Sequence, residues 1–168
     1  MKEKENEQGG LFKAVYIVGA LCAAAFVLLL VCIAVTSGPR FSPPPFEETA
    51  QEGLPTVPEG LGWEELWQEG MEFKAAVCGV VVVRDGAAEV NFANMSDAAW
   101  LRLRVFDEEG SLLGETGLLK EHTYVPSVQL VTPVEDGQKI SMKVMAYQPE
   151  TYQSLGAINM NTALTVEK

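Results

Sequence analysis

The stretch WLRLRVFDEEG, residues 100–110, decides the fold class. Leu101, Leu103 and Val105 alternate with Trp100, Arg102, Arg104 and Phe106, a period of two that suits a strand with one face on a core. Asp107-Glu108-Glu109-Gly110 then reads as a hairpin turn, with glycine at the left-handed position such a turn needs. The same alternation continues on both sides. Upstream, Val80 and Val82 lie in an apolar run that ends at Arg84-Asp85-Gly86, and AAEVNFA sets Val90 and Phe92 on one side. Downstream, strands are expected near 112–119 and 123–131. Pro126 in the second cannot donate to a ladder, so that strand is an edge or carries a bulge. In QKISMKVMAY, Ile140, Met142, Val144 and Ala146 form an inner face, with Lys139, Ser141 and Lys143 outside. The last run sets Ile158, Met160, Thr162, Leu164 and Val166 against Asn159, Asn161 and Thr165. About seven short strands with regular turn signals predict a mainly β domain over 75–168, an immunoglobulin-like β-sandwich.

The N-terminal third obeys a different pattern. Residues 14–35 contain no charge and are rich in Leu, Val, Ile and Ala. As a helix they would extend about 33 Å, enough for a hydrocarbon core of about 30 Å. A transmembrane helix is therefore expected over 14–35, with the lipid bilayer as its partner and residues 1–13 outside the membrane. Gly19 and Ala23-Ala24-Ala25 are read as lipid-facing small residues, since no Gly-x-x-x-Gly pair is present. Lys2, Lys4 and Lys13 precede the segment and Arg40 follows it, which predicts a cytoplasmic N-terminus and an extracellular C-terminal body. The apolar run exceeds a signal-peptide core, and Ala34-Val35-Thr36 is a poor cleavage site, so the segment reads as an uncleaved signal anchor.

Residues 36–60 hold six of the nine prolines, including Pro43-Pro44-Pro45. Such composition favours extended polyproline II, and a Pro-rich acidic stalk is expected there. In 61–74, LGWEELWQEGMEFK, the residues Trp63, Leu66, Trp67 and Met71 recur at helical spacing with glutamates mostly off the stripe. A short amphipathic helix is expected, packed as a lid on the β domain or presented to a protein partner. Trp63 and Trp67 are the candidate anchors.

Charge excludes one class of partner. Residues 36–74 carry two basic residues against eight glutamates, and residues 75–168 carry seven against twelve acids. A chain of net charge −11 repels phosphate backbones, so no nucleic-acid partner is expected. Cys22 and Cys32 fall in the membrane segment and Cys78 in an apolar strand pattern, so no disulfide is expected within the β domain. His122 is the one histidine and reads as an exposed loop residue, which leaves no nucleophile–base pair and no zinc set. Asp107, Glu108 and Glu109 lack the spaced ligands of a calcium loop. Asn94-Met95-Ser96 matches a glycosylation sequon. No catalytic, cofactor-binding or metal-binding residue is therefore assigned. Tyr147 and Tyr152 flank the loop Gln148–Leu155 and are the remaining candidate contacts, either for a partner or as caps on a corner of the fold.

The segments WLRLRVFDEEGSLLGETGLLK, YVPSVQL and KVMAYQPETYQSLGAINMNTALTV carry a family resemblance over residues 72–168. They resemble Gram-positive bacterial membrane-anchored proteins of unestablished function, most specifically at Leu118-Leu119-Lys120 and Ala146–Tyr152. A Pro-Gly turn is usual after the Leu-Leu-Lys step, whereas Glu121-His122-Thr123 stands here. The resemblance implies an N-terminal membrane helix, an exported immunoglobulin-like domain and a cell-surface location, and it transfers no catalytic residue. The expected function is a non-enzymatic cell-surface protein doing structural or protein-binding work. The alternative is an accessory subunit of an envelope secretion or surface-filament assembly.

Overall fold

The computed structural model describes residues 17–29 and 42–167, and the chain divides into two compact units, Met1–Ser42 and Pro43–Lys168. In the first unit, residues 17–29 are helical. Ile17, Leu21, Phe26 and Leu28 each leave more than half of their surface uncovered, and Cys22 is exposed on the same helix. Among the described residues no helix is long and apolar enough to cross a membrane. The described turns extend about 20 Å at the usual helical rise. The expected N-terminal segment 1–13, residues 14–16 and 30–35 of the expected membrane helix, and residues 36–41 of the expected stalk lie outside the described residues.

The second unit is mainly β. Its strands are β1 (Gln51–Glu52), β2 (Trp63–Leu66), β3 (Ala75–Cys78), β4 (Val81–Arg84), β5 (Ala87–Asn94), β6 (Trp100–Asp107), β7 (Leu112–Glu115), β8 (Thr123–Gln129), β9 (Lys139–Tyr147) and β10 (Ser154–Val166). The principal path through the sheet is β1-β8-β5-β4-β10-β9-β6-β7, while β2 pairs with β3 and β3 with β5. All named strand pairs are antiparallel except β4–β10, so the sheet is mixed. It curls into a half-barrel rather than forming a clear sandwich. An isolated bridge from Gly114 to Leu130 links β7 to the chain just after β8.

The alternation in the sequence predicts the core. Leu101, Leu103 and Val105 of β6 face Met142, Val144 and Ala146 of β9, and all six are fully buried. Ala88, Val90 and Phe92 of β5 close the same cluster with Val125 and Val128 of β8. Removing such side chains from water stabilises the fold by about 1.5–3 kcal/mol each for the larger ones, before entropy is counted. In β10 the pattern holds less well. Leu164 is buried, whereas Ile158 and Met160 pack against the core cluster and are only partly covered.

Ten strands are present among the described residues where about seven were expected, and the reasons are local. The apolar run 75–83 breaks at Gly79-Val80 into β3 and β4. The tryptophan segment 61–74 contains a strand instead of the expected amphipathic helix. Trp63 to Leu66 pair with Cys78 to Ala75, and Leu66 enters the core at 8 % exposure. Gly62 and Gly70, at φ +57° and +91°, bracket a piece too short for a helix of three turns, which would be marginal without tertiary support. Main-chain pairing with β3 wins. The stalk expectation changes as well, because the compact β unit begins at Pro43 and includes β1.

Pro126 behaves as its chemistry requires. It lies in β8 opposite the bulge in β5, where the register shifts between Glu89 and Phe92, and outside the two residues of β8 that β1 covers. The bulge residue Asn91 takes φ +43°, a left-handed value that asparagine tolerates better than most residues. Its carbonyl accepts the indole N–H of Trp63 at 3.1 Å, and its Nδ2 donates to Cys78 Sγ at 3.4 Å. Cys78 is fully buried, and burial pushes its thiol up from the usual range. It is a core residue, as the strand pattern predicts.

Candidate functional site

The segment between Pro43 and Gly53 forms a strap laid on the β unit. The carbonyl of Pro45 accepts the Leu118 N–H at 2.8 Å, and the Glu47 N–H donates to the Leu118 carbonyl at 2.9 Å. Phe46 bridges Leu118 in parallel, and further along β1 pairs with the start of β8. The Gly53 N–H donates to the His122 carbonyl at 2.8 Å, and Tyr124 Oη donates to Gln51 Oε1 at 2.7 Å. Composition alone predicts an extended chain here but not what it lies on.

Phe46 seeds an aromatic corner. Its ring meets Trp100 edge-on at 4.8 Å, and Trp100 meets Tyr152 at 5.3 Å. Lys120 Nζ stands 4.9 Å from the Phe46 centroid, a cation–π contact. Three elements therefore converge: the strap, the first residue of β6 and the loop between β9 and β10. Tyr152 reaches Trp100 because Glu150 and Tyr152 both take left-handed φ values, and the turn closes through Tyr152 N–H to the Gln148 carbonyl at 3.0 Å.

Glu47 locks the strap from the other side. Burial raises its pKa, but hydrogen bonds from the Thr49 hydroxyl and from the N–H groups of Gly117 and Thr49 outweigh that and leave it lowered. A carboxylate whose folded pKa is depressed contributes stability that is complete above its unfolded value, about 4.3. That contribution is lost as pH falls through the lower folded value. Amide exchange at Glu47 and Gly117, corrected for its intrinsic pH dependence, is expected to speed up below about pH 4. In the variant Glu47→Gln this acid-dependent step should be missing. An identical profile in the two proteins would remove Glu47 as the lock.

The four candidate contact residues fall in different places. Trp63 is half-buried with its N–H engaged by Asn91, so it serves the fold. Trp67 is 49 % exposed and lies beside Lys74, whose Nζ is 5.7 Å from its ring. It borders a concavity of about 310 Å³ with Met71, Phe73 and Met95. Tyr147 is buried, its hydroxyl 3.9 Å from Met145 Sδ, and Tyr152 belongs to the aromatic corner. Of the four, Trp67 presents the largest apolar surface outward. Nothing in the sequence marks the Phe46–Trp100 contact, because it joins distant segments.

Among the described residues no reactive constellation assembles. His122 is an exposed loop residue at φ +54°, with Nε2 3.1 Å from Asp97 Oδ1. Ser96 is engaged with the main chain of Lys74 through both its donor and its acceptor. Asp107 caps its own turn, accepting the N–H groups of Glu109 and Ser111. Among the described residues no three His, Cys, Asp or Glu side chains converge on one point. The sequon residue Asn94 is fully buried, and its amide is bonded to the carbonyls of Ala99, Leu119 and Lys120. In the folded chain it is closed to a glycosyltransferase. No protein family, curated protein or solved structure matches this chain, so what can be said of its function rests on these residues.

Proposed function

We propose that the protein is a non-enzymatic, membrane-anchored cell-surface protein whose β unit does structural or protein-binding work outside the membrane. Residues 14–35 cross the bilayer in this reading, with the N-terminus cytoplasmic. The uncharged stretch supports it, and so does the outward apolar surface of helix 17–29. The observation that carries the binding role is Trp67, a half-exposed indole beside a concavity that mixes Met71, Phe73 and Met95 with Glu72, Lys74 and Asp97. Tryptophan is among the residues enriched at interface hot spots.

The finer architecture belongs to the same reading. We take the unit as an immunoglobulin-like relative in which β5 and β8 face β6 and β9 across one core, with β3 and β4 as two halves of one broken strand beside β5. The core cluster drawn from both strand groups supports this, as does the family resemblance over 72–168. A role as accessory subunit of an envelope assembly is the second reading, and Trp67 is again the residue that would make the contact.

Protease treatment of intact cells tests the topology. The β unit should be cut or shed from outside; protection on intact cells with cleavage after lysis would reverse the orientation. A photo-crosslinker in place of Trp67 tests the role. One stoichiometric membrane partner would select the accessory-subunit reading, and capture of a cell-surface ligand would select the stand-alone module. No adduct with any protein would remove Trp67 as an anchor.

A further inference from the structure

Basic side chains are not spread evenly over the β unit. Seven are described in it, and Arg102, Arg104, Lys139 and Lys143 all lie on the outer face of β6 and β9. They face outward because the residues between them, Leu103, Val105, Met142 and Val144, are fully buried. Arg104 stands directly opposite Lys143, a like-charge cross-strand pair that costs stability unless an anion sits near it. Glu115 answers only part of that charge, taking Arg102 at 2.6 Å and Arg104 at 3.0 Å with one carboxylate. Lys139 pairs with Glu108 at 3.5 Å at the rim. Among the described residues no carboxylate lies within ion-pairing distance of Lys143. The face thus carries a positive surplus on a chain of net charge −11.

The neighbouring strand adds a second feature. Residues of β10 between Ser154 and Ala163 pair with β9 on one side, while β4 reaches only Leu164, Thr165 and Val166 on the other. From Ala157 to Asn161, past the bulge at Leu155-Gly156, the outward main-chain edge therefore has no strand neighbour among the described residues. Natural edge strands are usually blunted by charge, proline or a bulge; β10 has a bulge only at its start, between Ser154 and Gly156, and contains no charge or proline in thirteen residues. Its outer-face residue Asn159 sits directly beside Lys143. A strand added to this edge would lie about 4.8 Å from β10 and about twice that from β9, within reach of a lysine side chain.

We propose that the free edge of β10 and the cationic face of β6 and β9 form a docking site for an extended acidic polypeptide segment, added as an extra strand. Main-chain pairing along 157–161 supplies the affinity, as in other strand-addition modes. Acidic side chains at alternate positions of the guest fall on the outer face, over Asn159 and Asn161 and toward Lys143 and Arg104. The uncharged edge suits a peptide backbone, and the charge beyond it selects an acidic one. This specifies a partner chemistry for the protein-binding role proposed above and uses a different surface from Trp67.

The full chain in detergent can be titrated with a short fluorescein-labelled peptide of alternating threonine and glutamate. Saturable binding that weakens with salt is expected, with Lys143→Glu weakening it about tenfold and Lys143→Gln less. Lys74→Glu, beside Trp67, should leave it nearly unchanged. A peptide N-methylated at alternate positions cannot complete the ladder and should not bind. Equal binding of the N-methylated peptide or of inorganic polyphosphate would reduce the face to a general polyanion site and overturn the proposal. So would dimers of the chain that occupy the β10 edge and exclude the peptide, or no binding at low salt. None of these failures would touch the membrane topology, which the protease experiment decides separately.

Discussion

Replacing Asn94 by alanine is expected to lower the stability of the β unit by about 2–4 kcal/mol, the cost of orphaning two buried polar groups. Asn94 is fully buried at the end of β5. Its Nδ2 lies 2.7 Å from the Ala99 carbonyl, 3.2 Å from that of Leu119 and 3.0 Å from that of Lys120, while Oδ1 accepts the Ser96 N–H at 3.0 Å. The carbonyls of Leu119 and Lys120 keep other donors, the Leu101 N–H and the Thr123 hydroxyl. The Ala99 carbonyl and the Ser96 N–H lose their side-chain partner, and the variant should melt roughly 10 °C lower. Asn94→Asp keeps the shape but turns a donor into an acceptor aimed at three carbonyl oxygens. Its folded pKa should rise above the unfolded value of about 3.9, so its deficit should shrink as pH falls toward that value. A melt within 1–2 °C of the parent for Asn94→Ala would mean that water replaces the amide without cost.

That role was not legible in the sequence, where Asn94 is only the first residue of a sequon. What was legible is what depends on period alone. Leu101, Leu103 and Val105 on β6, and Ile140 to Ala146 on β9, turn inward as alternation predicts, because a residue two places on lies on the same face whatever the strand pairs with. The helical stripe at Trp63, Leu66, Trp67 and Met71 misled for the complementary reason. A spacing of three and four also fits a short strand followed by a loop, and only the presence of β3 as a pairing partner decides between them. Proline-rich composition reports extension and not contact, so it predicts a stalk and leaves the strap's attachment unmarked. Its lock, Glu47 to Gly117, spans seventy residues and leaves no local mark. Trp67 survives as a candidate contact because its exposure depends on the loop after β2, and the other three candidates were absorbed into packing.

Gly117→Ala should release the strap while leaving most of the sheet folded. A Cβ built at Gly117 would fall 2.6 Å from the Glu47 nitrogen, 2.8 Å from its Cα and 2.8 Å from the Phe46 carbonyl carbon. All three are main-chain atoms, so no side chain can swing aside to make room, and the strap itself must lift. Gly117 has no left-handed φ, so alanine is compatible with its own backbone and the clash is the whole effect. Lifting costs the two main-chain bonds at Leu118, the Gly117–Glu47 bond and the edge contact of Phe46 with Trp100. At about 1 kcal/mol for each hydrogen bond and a similar amount for the ring pair, the loss is about 3–4 kcal/mol. It should appear as fast amide exchange at Glu47 and Leu118 and as new protease cleavage between residues 46 and 53. The amides that pair β6 with β9 should stay protected, since that ladder does not pass through Gly117. Phe46→Ala separates the two parts of the attachment: it removes the ring from Trp100 but leaves the main-chain bonds, so its cleavage should be slower than that of Gly117→Ala. Equal protection of the Glu47 amide in Gly117→Ala and the parent would show that the strap does not depend on the close approach at Gly117. Faster exchange throughout β6 and β9 would instead make the strap part of the cooperative core, and then residues 43–53 could not open without unfolding the unit they begin.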